Sequence, residues 1–138
     1  MANLGRNLLM QKRWVDAEPV IRESLKLRQK SIKPDDPAAW QIASTSGMLG
    51  EALMGRALSE SSAALLAEAE PYVLKAAESL PGDDNVPKPP AGMPDRKRDA
   101  LDRAVRLYEA WLKVEADPAR EAMLAEWREK LEAFDKSR

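Results

Sequence analysis

The chain has 138 residues, of which 44% are hydrophobic, 33% charged and only 5% aromatic, with 22 basic side chains against 23 acidic ones. That length is enough for one domain with its own core, and the near balance of charge argues against a nucleic-acid or anionic-membrane binder driven by net charge. There is no cysteine and no histidine, which removes disulfide scaffolds, Cys- or His-ligated zinc, thiol nucleophiles and histidine bases.

Only carboxylate chemistry stays open to an enzyme, and no cofactor is implied. No run approaches the roughly 18 apolar residues a spanning helix needs, and residues 1–6 carry no apolar core of a secretory signal. A soluble, cytoplasmic protein is expected.

Strand alternation is almost absent, whereas helical periodicity runs through the chain. Trp14, Ala17, Val20, Ile21, Leu25 and Leu27 predict a helix over about 15–31, with Pro19 near its first turn, where a missing N–H is tolerated. Asp36-Pro37 is a start signal for the next helix, carried by Trp40, Ala43, Leu49, Leu53 and Met54 to about residue 58. A polar corner at 59–62 with a capping serine leads to a helix over 63–80 through Leu65, Leu66, Ala69, Tyr72, Val73 and Ala76.

From 81 to 94, five of 14 residues are proline and two are glycine, which reads as a connector without regular structure. Asp95 is placed to cap a helix to about 116, and Asp117-Pro118 repeats the start signal for a last helix through Met123, Leu124, Trp127, Leu131 and Phe134. The expectation is one all-α domain, 1–138, of three hairpins at about 1–31, 37–80 and 95–134.

The chain repeats itself. Leu4-Gly5, Leu8, Ala17-Glu18-Pro19 and Ile21 return as Leu49-Gly50, Leu53, Ala69-Glu70-Pro71 and Val73, with seven extra residues between landmarks in the second copy. Seven residues are about two helical turns, so each arm can lengthen by about one turn and keep its inward face.

This pattern, with Trp14 and small Ser24, resembles the tetratricopeptide repeat and its kinesin-light-chain-like subset. Lys33-Pro34-Asp35-Asp36, Trp40, Leu49-Gly50-Glu51-Ala52-Leu53, Leu107-Tyr108-Glu109-Ala110-Trp111 and Ala125-Glu126-Trp127-Arg128 resemble the C-terminal repeat arrays of bacterial serine/threonine protein kinases of eukaryotic type. The pattern departs at the first corner, where Lys12 replaces the usual glycine, and in the third hairpin, where Ala104-Val105 replaces Leu-Gly. No kinase phosphate loop, His-Arg-Asp or Asp-Phe-Gly run is present, so the resemblance implies a non-catalytic, kinase-associated part.

The resemblance implies a short right-handed superhelix whose first arms line a concave surface. Its lining would be Asn3, Arg6, Met10, Ser44, Gly47, Glu51, Met54, Asp102, Arg103, Arg106 and Glu109. There Arg6, Arg103 and Arg106 have the chemistry to grip a carboxylate or phosphate, or else to form internal ion pairs on a solvated face. The four tryptophans sit on the apolar stripes of their helices and read as packing, with Trp40, in a first turn, the exception.

The acidic pairs among Glu68, Glu70, Glu78, Asp99 and Asp102 read as helix-surface charge rather than an acid–base pair. Asp83-Asp84-Asn85 lacks the spacing and terminal Glu of a calcium loop. Arg96-Lys97-Arg98 is neutralised by Asp99 and Asp102. The expected function is protein–protein interaction with a peptide or helix, without catalysis, metal, nucleic acid or membrane. The alternative is self-assembly as a homodimer through Leu8, Leu9, Met10 and Trp14, apolar residues of a first hairpin with no preceding repeat to cover them.

Overall fold

The computed structural model describes residues 2–33, 35–36, 39–79 and 96–136. They form six α-helices and no strand: α1 (Ala2–Met10), α2 (Trp14–Ser31), α3 (Trp40–Glu60), α4 (Ala63–Ser79), α5 (Arg96–Val114) and α6 (Pro118–Lys136). The all-α class is therefore as the periodicity predicts. The proline-rich connector at 81–94 and the Asp95 cap lie outside the described residues. None of the described helices is long and apolar enough to cross a membrane.

Local chemistry explains the helix ends. Asp117 Oδ1 accepts the Ala119 N–H at 2.9 Å, and Ser62 Oγ accepts the Leu65 N–H at 3.2 Å, which satisfies first-turn donors of α6 and α4. In front of α3, the Ala39 N–H donates to the Asp36 carbonyl at 2.9 Å, tying Ala39 back to Asp36 just before the helix opens at Trp40.

The α1–α2 corner closes as a Schellman motif, and the α3–α4 corner turns on a left-handed residue in the same place. Arg13 N–H reaches the Leu8 carbonyl and Lys12 N–H the Leu9 carbonyl, each at 2.9 Å, while Ser62 N–H reaches the Ala57 carbonyl at 2.9 Å. Each corner needs one left-handed residue. Lys12 (φ 59°) and Ser61 (φ 51°) take it, where glycine is the unstrained choice.

Every helix packs on the next one in sequence, and α3 packs on α1 and α5 as well. This central position explains why α3 is buried on nearly all sides, from Ala43 to Ala57. Its buried Thr45 and Ser46 hydroxyls donate back to the carbonyls of Gln41 and Ile42, at 2.8 and 2.9 Å, so neither is left unpaired.

The two copies of the internal pattern make the same close approach. A Cβ on Gly5 would lie 2.7 Å from Ile21 Cγ1, and one on Gly50 would lie 2.4 Å from Val73 Cγ2. Ala17, Ala69 and Ala76 are fully buried, and Ser24 nearly so. The extra length of the second copy falls in both arms. The first helix runs five residues past Gly5 but ten past Gly50, and the second starts three residues before Ala17 but six before Ala69.

Candidate functional site

α1, α3 and α5 touch in succession, whereas among the described residues no direct packing joins α2 to α4 or α4 to α6. Long side chains span one of those wider gaps: Arg22 of α2 bonds Glu68 of α4 at 2.6 Å. The bridge continues through Glu18, which holds Arg22 at 3.4 Å and Arg56 of α3 at 2.6 Å.

On the α1–α3–α5 side, α3 and α5 bring together four of the residues expected to line a groove. Arg106 places Nη1 at 3.0 Å from both oxygens of Glu51 and Nε at 3.0 Å from Asp102 Oδ2. Arg103 Nε lies 4.0 Å from Glu51 Oε2, too long for a hydrogen bond, and has no hydrogen-bond partner. The Arg103 side chain is only 15% exposed. It occupies a niche that exists because position 47 is glycine: a Cβ there would be 2.7 Å from Arg103 Nη1. Burial pushes its pKa down, opposed by the Glu51 carboxylate, yet an arginine stays charged under any condition a protein meets.

Two arginines and two carboxylates thus neutralise one another across the α3–α5 contact. These arginines are already engaged, so the face is polar and ion-paired rather than an open cationic clamp. Glu109 likewise reaches outward to Arg128 of α6 at 2.9 Å.

The remaining expected residues divide. Arg6 and Met10 are exposed on α1, Ser44 is half-buried on α3, and Asn3 lies in α1. Met54 does not line the face: it is 3% exposed, because α3 is covered on that side too. Of the residues expected to mediate self-association, Leu8 is 7% exposed within the core that holds Ala17 and Ile21, and Leu9 packs partly against that core. Trp14 is half-buried, with its ring against Gly55. Met10 alone of that set is freely exposed, at 76%, and it is joined by Leu4 and Val15, which the periodicity did not single out as surface.

Trp111 and Trp127 are core residues, as expected. Trp111 stacks on Tyr108 with centroids 6.3 Å apart and carries the Arg120 guanidinium 4.0 Å from its ring centre. Tyr108 donates to Glu70 Oε2 at 2.7 Å, tying α5 to α4, and burial followed by this hydrogen bond raises its pKa well above the usual phenol value. Trp40 is half-buried at the edge of the core. Among the described residues no cluster of three acidic side chains converges to hold a metal ion.

Compared with known proteins, the chain matches no family model, no curated protein and no solved structure. The geometry and chemistry of the helices themselves therefore carry the functional reading.

Proposed function

We propose that this chain is a non-catalytic protein-interaction module, three helical hairpins stacked as a short right-handed tetratricopeptide-like superhelix that holds a partner's peptide or helix along the α1–α3–α5 face. One observation carries the reading. α1 contacts α3 and α3 contacts α5, with no such packing of α2 on α4 or of α4 on α6 among the described residues. These contacts support a stack curved toward α1, α3 and α5, theirs being the concave side in this reading. The equivalent Gly5–Ile21 and Gly50–Val73 approaches support the repeat. The likeness to kinase-associated repeat arrays supports a scaffold in a serine/threonine kinase system.

In this reading Arg106 and Glu51 are the recognition pair, exchanging their mutual bonds for polar groups of the ligand, with Arg6 the exposed cation at the N-terminal end of the face. Peptides selected from a random library on the wild-type chain should bind an Arg6→Glu, Arg106→Ala variant at least tenfold more weakly, with melting temperature nearly unchanged. Equal affinity for both proteins would reject the face.

A second reading, self-assembly, is favoured by the distribution of exposed large apolar side chains. Among the described residues four of the five, Leu4, Met10, Val15 and Leu27, lie on α1 and α2, and only Leu58 lies elsewhere. In this second reading these side chains are what a second copy of the chain covers. Light scattering at micromolar concentration should then give about twice 15.4 kDa, and a Leu4→Glu, Met10→Glu variant should return to monomer mass without unfolding. A wild-type monomer ends this second reading.

A further inference from the structure

Four charges meet where α3 and α5 touch, and the bonds among them are unevenly shared. Gly47 and Glu51 lie one turn apart on α3, and Arg103 and Arg106 lie three residues apart on α5, so each pair shares a face of its helix. Arg106 holds both Glu51 oxygens through Nη1 at 3.0 Å and keeps its Nε on Asp102 Oδ2, also at 3.0 Å. Arg103 receives nothing comparable. Its Nε is buried without a hydrogen-bond partner and stops 4.0 Å from Glu51 Oε2, about 1 Å beyond bonding distance.

The more exposed arginine therefore has the carboxylate, and the more buried one is left with an unmet donor: their side chains are 43% and 15% exposed. An unmet N–H on a charged group is costly in such a place. Arg103 is nevertheless kept beside Glu51, because the end of its guanidinium fills the space over Gly47, where an added Cβ would lie 2.7 Å from Nη1. Burial pushes the Arg103 pKa down, and of the carboxylates that oppose this, Glu51 acts most strongly, ahead of Asp99 and Asp102. Glu51 is itself only 18% exposed, so the loss of Arg106 would leave it a mostly buried charge short of a donor.

We propose that Glu51 passes between the two arginines, Arg103 being the partner in reserve that takes the carboxylate when Arg106 leaves it. One shift of about 1 Å then satisfies both unmet groups at once. For a ligand the consequence rests on the function proposed above: Arg106 can turn to an acceptor in the groove without stranding Glu51. Arg103 is a positioning residue in this device, acting on Glu51 rather than on the ligand.

Methionine variants, which keep the aliphatic stem and remove every donor, test the exchange with no ligand present. In the ¹⁵N-labelled chain the Arg103 Nε–Hε resonance, identified by its loss in Arg103→Met, should move downfield in Arg106→Met as Hε finds Glu51. In urea denaturation, Arg106→Met should lower the folding equilibrium constant less than about threefold, since a substitute cation is at hand. Arg103→Met should not lower it, because Glu51 keeps Arg106 and a buried unmet donor is removed. The double variant should lower it about tenfold or more, because Glu51 then has no cation. An unmoved Arg103 resonance in Arg106→Met overturns the proposal, and so does a double variant whose loss is only the product of the two single losses. A groove placed wrongly would leave these results intact, and their failure would leave the groove's own test standing.

Discussion

Replacing Trp111 with alanine is expected to lower the unfolding free energy by about 3–5 kcal/mol, a large share of the roughly 5–15 kcal/mol that a chain of this size possesses. Trp111 is nearly fully buried on α5, stacks on Tyr108 and lies beneath the Arg120 guanidinium of α6. Its removal leaves a cavity between the two arms of the third hairpin and strips Arg120 of its aromatic partner. The melting temperature should fall by about 10 °C or more. Trp111→Phe should cost much less, because the indole N–H has no hydrogen-bond partner to lose. A drop below about 1 kcal/mol for the alanine variant would mean that the third hairpin is not cooperative with the rest.

The second large effect is expected at Gly50. Here α3 and α4 approach so closely that a Cβ would lie 2.4 Å from Val73 Cγ2 and 3.3 Å from the Val73 backbone nitrogen. The backbone cannot yield without separating the helices, and the valine rotamer is stiff within a helix. Gly50→Leu should therefore destabilise by about 3 kcal/mol or more, measured by urea denaturation.

Gly47 provides the contrast on the same helix. Its added methyl would meet the end of the Arg103 side chain at 2.7 Å and the Ala76 methyl at 3.0 Å. An arginine can swing aside, and removing a glycine from a helix interior returns about 1 kcal/mol. Gly47→Ala should stay within about 1 kcal/mol of the wild type while expelling Arg103 from its niche. If Gly50→Leu is tolerated and Gly47→Ala is not, the packing described between α3 and α4 is wrong.

Much of the fold is legible because it is written locally. Asp117 before Pro118, and Ser62 three residues before Leu65, place helix starts through backbone chemistry within one turn. The repeat of Leu-Gly and Ala-Glu-Pro marks where the paired helices come close, and the structure places Gly5 against Ile21 and Gly50 against Val73.

The site is less legible, because its residues are joined across the chain. The resemblance puts Met54 in the same lining as Gly47 and Glu51, but α3 is enclosed by four other helices and Met54 is covered. Leu8 looks like an uncovered end residue until α2 folds back over it. Glu51 and Arg106 stand 55 positions apart, and nothing in either helix alone says that they neutralise each other.

The central claim is that a partner lies along α1, α3 and α5, and amide chemical-shift mapping with a library-selected peptide tests it most directly. Saturable shifts should concentrate on those three helices around Arg6, Glu51 and Arg106, leaving the outer arms α2, α4 and α6 little changed. Shifts concentrated on α2, α4 and α6 would contradict it.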